Sequence, residues 1–218
     1  MNTALTNPRE LLHDSFKLYQ KNFSLYFSVA FLYGAMSYVL NHAVPVAGPF
    51  FSLFFTFWGF LSLLYVIKDP RLTPDAAYRE SISRLPQFLL LQLLTLVFIG
   101  LSFLALIIPG LIVSVFLNFA PYVFMWEGDK AWESIKKSWS YVRGYFWAVV
   151  WRMLILVCFA ILIGLVFVLP TALVSYINSA VSDFIGALFA MFITPWIACY
   201  NLLLYQSLKH ARAARNSP

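Results

Sequence analysis

The sequence predicts an all-α integral membrane protein with six transmembrane helices, on three observations. Hydrophobic residues make up 61% of the 218-residue chain and charged residues only 11%, against roughly 25% charged residues in ordinary soluble domains. The apolar residues fall into six runs, and the basic residues lie in alternate connections between them. A soluble chain of this length could not bury so much apolar surface, so the surface must face lipid.

The six runs are read in chain order as transmembrane spans, since a span needs about 20 mainly apolar residues. The fourth is the shortest, and a tilted or re-entrant segment is the alternative interpretation for it. None of the runs shows the alternation of a membrane β-barrel strand. The predicted spans are Phe23–Leu40, Val46–Ile67, Phe88–Ile108, Gly110–Trp126, Phe146–Leu169 and Phe184–Leu204.

The distribution of Lys and Arg predicts the orientation. Basic residues precede span 1, lie between spans 2 and 3 and between spans 4 and 5, and follow span 6. The connections after spans 1, 3 and 5 contain no Lys or Arg. Under the positive-inside rule both termini are therefore cytoplasmic, and we expect a multi-pass protein of the bacterial inner (plasma) membrane.

The formal charge of +6 collects on this predicted cytoplasmic face, where it suits the anionic lipids of that leaflet. Nucleic-acid binding is the weaker interpretation, because topology alone produces the same imbalance. The first apolar run begins only at Phe23 after a polar, charged segment, which indicates a retained span and not a cleaved signal peptide. We expect a single membrane domain over residues 1–218, with residues 208–218 as a basic cytoplasmic tail.

Three similar segments predict an internal three-fold hairpin repeat. Ser15, Ser81 and Ser138 occupy matching places in short stretches with helical apolar spacing, each leading into a span. The repeat units are 7–67, 73–126 and 129–207. Each would comprise an amphipathic helix in the headgroup layer, a span, a Pro-containing turn and a return span. The alternative is that any membrane hairpins with polar flanks would look alike.

Local residues support these boundaries. Asn7-Pro8 and Thr73-Pro74 are typical of an N-cap followed by Pro at the first helical position, and Asp129 is a candidate cap for the third short helix. The predicted turns after the odd spans carry Pro45, Pro109 and Pro170.

No catalytic or metal-binding motif is present in the sequence. Cys158 and Cys199 lie in predicted spans without CxxC spacing, and the three histidines fall on different segments. No span has a carboxylate near its centre, which argues against an ion-coupled pump. We therefore expect no enzyme activity, no metal and no cofactor.

The candidate lipid-headgroup contacts are basic. Arg152 lies six residues into span 5, at a depth of about 9 Å, and its guanidinium fork suits a lipid phosphate. Snorkelling to the membrane border is the alternative. The other candidates are Lys136, Lys137, Arg143 and Arg84, for which simple anchoring of the short helices is the alternative.

A second group of candidates combines polar residues and prolines within spans. Asn118 precedes Pro121, and Pro195 precedes Asn201. A proline in a span frees a backbone carbonyl that nearby polar groups can satisfy. These four positions either join helices in the bundle or line a cavity.

Several segments carry a resemblance to a known family, namely 15–23, 107–113, 119–123 and 131–144. In them the chain resembles the bacterial multi-pass membrane domain of the glycerophosphoryl diester phosphodiesterase membrane-domain type. The resemblance implies a helical membrane module connected with membrane-lipid metabolism. It implies no enzymatic activity here, because no catalytic barrel fits beside the six spans.

The first functional hypothesis is thus a non-catalytic membrane protein that binds or organises lipids, anionic phospholipid in particular, or scaffolds a membrane-protein partner. The alternative is a small permease or channel for a neutral or apolar solute. A continuous polar-lined cavity would favour the alternative, whereas a solid apolar core would favour the first hypothesis. An intramembrane enzyme would need converging ionisable residues, which the spans lack.

Overall fold

The chain folds into ten helices over the residues that the computed structural model describes, which are 5–44, 46–175 and 179–216; these residues contain no strand. The helices are α1 (Pro8–Lys21), α2 (Phe23–Ala43), α3 (Gly48–Lys68), α4 (Pro74–Ile82), α5 (Leu85–Ala105), α6 (Ile107–Leu117), α7 (Ala120–Glu127), α8 (Ala131–Val142), α9 (Phe146–Ser175) and α10 (Ser179–Asn216).

Six segments are long and apolar enough to cross a membrane, as predicted. They are α2, α3, α5, α6 with α7, α9 and α10. The remaining helices, α1, α4 and α8, are short and directly precede α2, α5 and α9. The fold class is therefore an all-α membrane protein with three pairs of spans, each preceded by a short helix.

The fourth span consists of two helices with a break at Asn118 and Phe119. Pro121 follows the break in the first turn of α7. Proline has no backbone N–H and its ring obstructs the preceding turn, so the helix is interrupted just before it. The interrupted segment Ile107–Glu127 still extends over 21 residues, enough for a full crossing.

The predicted proline turns are wrong where the structure describes them. The helix α5 ends earlier, at Ala105, and the extended residue Leu106 makes the turn, so that Pro109 lies in the first turn of α6. A proline is tolerated there because a first-turn N–H has no partner within the helix. Helix α9 continues through residue 170 to Ser175, and Pro45 lies outside the described residues.

Two of the three predicted caps are confirmed. The side chain of Asn7 accepts a hydrogen bond from the Arg9 N–H, and that of Thr73 accepts one from the Ala76 N–H. Asp129 does not cap α8, whose N-cap is Lys130 without a side-chain bond. Instead Asp129 Oδ2 lies 2.7 Å from Lys137 Nζ, so its carboxylate forms an ion pair in place of a helix cap.

The three matching serines join each short helix to a return span. Trp196 Nε1 on α10 donates to Ser15 Oγ at 3.2 Å, and Trp58 Nε1 on α3 donates to Ser81 Oγ at 2.9 Å. Ser138 Oγ donates to the Phe116 carbonyl of α6 at 2.6 Å. Each short helix therefore packs on the return span of the preceding hairpin, and α1 packs on the last one, which closes a ring.

The buried residues of the bundle are concentrated at one end. The short helices and most Lys and Arg residues lie at what we call the basic end. The buried residues of α2 (Tyr26, Val29 and Ala30) and of α5 (Leu85, Phe88 and Leu91) lie in the halves nearest this end. Large apolar side chains nearer the opposite end, such as Val46, Phe50 and Leu104, are exposed. The bundle is thus closed at the basic end and open at the other.

The predicted basic tail is helical. Helix α10 has 38 residues and runs without a break to Asn216, a length of about 57 Å at 1.5 Å per residue, well beyond the bilayer core. Leu208 and Ala211 are buried against the rest of the chain. Residues 208–216 therefore extend the last span and belong to the packed basic end.

Candidate functional site

A wide groove at the basic end is formed by the N-terminal segment, the start of α9 and the end of α10. Its volume is about 1720 Å³ and it is open to the surroundings. Three arginines, two tryptophans and one glutamate give the groove its chemical character, namely Arg143, Arg152, Arg215, Trp147, Trp151 and Glu10.

Arg152 is fixed in this groove by backbone carbonyls. Its Nε donates to the Thr6 carbonyl at 2.9 Å, and its Nη2 donates to the carbonyls of Thr6 at 2.7 Å and Leu5 at 3.0 Å. Its Nη1 donates to the Ala148 carbonyl, one turn earlier in α9, at 2.9 Å. Carbonyls orient the guanidinium without neutralising it, and no carboxylate pairs with it among the described residues.

Arg143 and Arg215 add two further positive charges to the groove. Both side chains are exposed, and neither forms an ion pair within the described part of the chain. Arg215 lies close to the backbone of Gly144: a Cβ atom added to Gly144 would lie 3.1 Å from Arg215 Nη1. Glu10 is also exposed, and it is the one acidic residue in the lining. The groove is therefore net positive.

Two tryptophans on α9 extend the groove along the outside of the bundle. Trp147 is 80% exposed and Trp151 is 59% exposed. They lie four residues apart and so on one face of the helix. Tryptophan is enriched at membrane–water borders, so this side of the groove has the composition of a membrane border.

The other predicted headgroup contacts lie outside the groove. Lys136 Nζ lies 5.3 Å from the centre of the Trp132 ring, and the Arg84 guanidinium lies 6.0 Å from that of Phe124. Lys137 is held in an ion pair. Of the five predicted basic residues, the structure brings together Arg143 and Arg152, and lipid contact at the others stays a prediction.

A buried carboxylate that the sequence analysis missed lies next to this region. The Glu127 side chain is 10% exposed, and Oε1 accepts hydrogen bonds from the hydroxyls of Tyr141 and Tyr205, each at 2.7 Å. Lys137 Nζ lies 3.0 Å from Oε2, and Lys209 Nζ lies 3.3 Å from Oε1. These contacts, which we call the Glu127 cluster, join α7, α8 and α10.

The cluster changes the acidity of its outer members. The pKa of Lys137 is raised above its ordinary value, first by the hydrogen bond to Asp129 and then by that to Glu127. Burial, followed by the hydrogen bond to Glu127, raises the pKa of Tyr141 to about 12. Both groups therefore hold their protons more tightly in the folded chain, as expected for structural contacts.

The predicted polar positions within the spans meet at mid-bundle. Asn118 Nδ2 donates to Asn201 Oδ1 at 3.1 Å. Together with Pro121 they line a pocket of about 320 Å³, so these three positions both join helices and border a cavity. Pro195 lies inside α10 and does not line this pocket.

A second and larger pocket lies next to this one, towards the open end of the bundle. It has a volume of about 590 Å³ and is lined by residues of α2, α3, α5 and α10. Phe60 and Thr194 line both pockets. Within the described ranges, no three His, Cys, Asp or Glu residues are grouped to hold a metal.

Sequence reasoning missed Arg215, the two tryptophans and Glu127. Trp147 and Trp151 lie at helical spacing just after Arg143, a pattern that could have indicated one face of α9. No local sequence pattern indicates the groove, because Arg152 contacts carbonyls that lie 146 and 147 residues away in the chain.

Comparison with known families gives one match. The model described as "Domain of unknown function (DUF7847)" matches residues 76–201. No curated protein and no solved structure matches the chain significantly. The match does not test the resemblance to the phosphodiesterase-type membrane domain.

Proposed function

The chain belongs to the DUF7847 family, whose description assigns no function. From the chemistry of the groove, we propose that this protein is a non-catalytic membrane protein that binds an anionic phospholipid headgroup. The observation that carries the proposal is the Arg152 guanidinium, oriented by three backbone carbonyls and left without a carboxylate partner in the described chain.

An arginine in this state suits a phosphate group. The carbonyls of Leu5, Thr6 and Ala148 limit its rotation, so little conformational freedom is lost when an anion binds. The guanidinium has five N–H groups, and its four hydrogen bonds to carbonyls use donors on all three nitrogens. Few donors therefore remain for a phosphate. Arg152 therefore acts mainly through its charge, while the exposed Arg143 and Arg215 have donors for direct phosphate contacts.

The aromatic side of the groove favours a phospholipid over a free phosphate. Trp147 and Trp151 present apolar surface next to the arginines, and the following part of α9 is exposed and apolar at Leu154 and Val157. A phospholipid can place its phosphate among the arginines and its acyl chains along this helix. Inorganic phosphate would contact the arginines but not the tryptophans or the apolar part of α9.

The proposal includes an orientation and a membrane. The basic end lies in the cytoplasm and faces the anionic leaflet of a bacterial inner membrane, where Lys and Arg accumulate. The resemblance to the membrane domain of the glycerophosphoryl diester phosphodiesterase type supports a connection with membrane-lipid metabolism. A role in scaffolding a membrane-protein partner through the same groove is the competing proposal.

Photo-crosslinking tests the site directly. The protein is reconstituted in phosphatidylcholine nanodiscs containing a minor fraction of phosphatidylglycerol with a diazirine close to its headgroup. Crosslinked peptides should map to the start of α9 and the end of α10. The double variant Arg143→Gln/Arg215→Gln should lower this crosslinking at least five-fold, whereas Arg71→Gln, an exposed arginine outside the groove, should leave it unchanged.

Three results would contradict the proposal. One is crosslinking spread evenly over the lipid-facing helices, which would show bulk lipid only. Another is equal crosslinking of a phosphatidylcholine probe at the same peptides. The third is complete displacement of the probe by millimolar inorganic phosphate, which would show that the groove recognises the phosphate group without a contribution from the rest of the lipid.

A further inference from the structure

The open end of the bundle contains a polar cleft among apolar helices. Its lining includes hydroxyl, amide, imidazole and carboxylate groups from four spans, namely Ser37, Asn41, His42, Thr56, Gln92, Asp183 and Thr194. It shares the lining residues Phe60 and Thr194 with the mid-bundle pocket that contains Asn118 and Asn201. We call the two adjacent pockets the polar cleft.

Two polar groups along the cleft lack the partners that a membrane interior demands. Gln92, half-buried in α5, forms no hydrogen bond within the described chain, and Thr95 Oγ1, one turn further along α5, is buried without a partner. An unsatisfied polar group in hydrocarbon is strongly destabilising. Water or a polar ligand in the cleft would satisfy Gln92, which lines it.

The cleft is closed towards the basic end. Tyr122, Tyr200 and Tyr205 are at most 2% exposed and pack beyond the Asn118–Asn201 pair. The Tyr122 hydroxyl is bound to the Ala198 carbonyl at 3.2 Å, and the Tyr200 hydroxyl to the Arg152 carbonyl at 2.9 Å. These packed tyrosine rings therefore lie between the mid-bundle pocket and the basic end.

The deeper lining of the cleft suits a neutral solute. At the entrance the imidazole of His42 and the carboxylate of Asp183 face each other, with Nε2 3.7 Å from Oδ2. The deeper lining has only hydroxyl and amide side chains as polar groups. A charged solute would lose its hydration there without a counter-charge.

We propose that the polar cleft binds a small neutral solute that both donates and accepts hydrogen bonds, of the polyol or amide class. Gln92 and Asn118 offer amide groups in the lining, and the Gln92 amide has no protein partner among the described residues. The two pockets of about 590 and 320 Å³ lie within the usual range for small-molecule sites, roughly 300–1,000 Å³. This proposal does not rest on the lipid groove, which lies at the other end of the bundle.

Cysteine accessibility tests the cleft in reconstituted vesicles. Gln92→Cys and Thr194→Cys are each made in a Cys158→Ala background, because Cys158 is exposed and Cys199 is buried. A charged, membrane-impermeant methanethiosulfonate should modify both at least ten-fold faster than Leu93→Cys, the neighbour of Gln92 that is 56% exposed on a different face of α5. Modification at a rate equal to Leu93→Cys at both positions would overturn the proposal.

Protection by neutral probes tests binding as distinct from hydration. Glycerol, xylitol and acetamide are added one at a time at millimolar concentration, with acetate and methylammonium as charged comparisons. At least one neutral probe should slow modification five-fold or more, and Gln92→Leu should reduce the protection measured at Thr194→Cys. Absence of protection by all three, or equal protection by the charged probes, would contradict a neutral-solute site and leave the lipid proposal unaffected.

Discussion

At the scale of single residues, Arg152 connects the N-terminal segment to the first turns of α9. Replacing it by Gln removes the contacts to the Leu5 and Thr6 carbonyls, although Thr6 retains its bonds to Ser207 Oγ. Hydrogen bonds to a charged donor contribute roughly 1.5–3 kcal/mol. Amide exchange in a peptide covering residues 5–12 should therefore accelerate about ten-fold or more.

The matched control is Arg143→Gln, which removes a charge from the same groove without touching the N-terminal segment. Its exchange over residues 5–12 should equal that of the unmodified protein. Unchanged exchange in Arg152→Gln would show that the N-terminal segment is held by its contacts with α10 alone.

Lys137 gives a pH-dependent prediction. Its folded-state pKa is raised above the ordinary value of 10.5 by Asp129 and Glu127. Its stabilising contribution is therefore complete below pH 10.5 and is lost as the pH rises through the higher folded-state pKa. The difference in unfolding free energy between the unmodified protein and Lys137→Met should be constant up to about pH 10 and shrink above it.

Its neighbour Lys136 serves as the control, because it lies over the Trp132 ring and has no carboxylate partner within the described residues. Lys136→Met should show no such change over the same range of pH. Chemical unfolding in detergent micelles, followed by tryptophan fluorescence, measures both. A Lys137 contribution that grows above pH 10 would contradict the ion-pair assignment.

At the scale of elements, the serine contacts predict how the short helices are held. Ser81→Ala removes the acceptor of Trp58 Nε1 and a partner of Ser62 Oγ, both in the interface between α3 and α4. Ser62 Oγ keeps its bond to the Trp58 carbonyl, so the Trp58 Nε1 donor is the group that loses its acceptor. An unsatisfied donor costs roughly 1–3 kcal/mol, so unfolding should become easier by about 2 kcal/mol. Ser83→Ala, at an exposed site of the same segment, should change stability by less than about 0.5 kcal/mol.

Equal effects of these two variants would show that the buried serine is not what holds α4 on α3. The same comparison extends to Ser15 and Ser138. The three-fold repeat predicts that the serines have equivalent structural roles, and matched losses in the three helices would support that equivalence.

Helix positions could be predicted from sequence because they depend on local patterns. Long apolar runs predict spans, and Asn7 and Thr73 predict helix starts that the structure confirms. The turns could not be predicted from proline alone. Pro109 is compatible with a turn or with a first helical turn, and the end of α5 at Ala105 decides between them.

At the scale of the whole molecule, the two candidate sites depend on contacts between distant parts of the chain. Arg152 was predicted as an intramembrane cation, but its carbonyl partners come from the N-terminus, and Arg215 reaches the groove from the other end of the chain. The Glu127 cluster likewise needs α10 next to α7 and α8. Sequence periodicity describes one helix at a time and carries no information on such neighbours.

Membrane orientation is the whole-molecule prediction on which the lipid proposal depends. A reporter fused after residue 218 should be active only in the cytoplasm, because the basic residues predict a cytoplasmic C-terminus. A reporter inserted near Asn178, which lies outside the described residues, should be active only on the other side. Exchange of the two results would contradict the six-span topology.

The most direct test of the central claim is native mass spectrometry of the protein released from nanodiscs that contain equal amounts of phosphatidylglycerol and phosphatidylcholine. The account predicts that phosphatidylglycerol is retained preferentially, and that Arg143→Gln/Arg215→Gln loses this preference while Arg71→Gln keeps it. Retention of the two lipids in their bulk ratio by the unmodified protein would contradict the account.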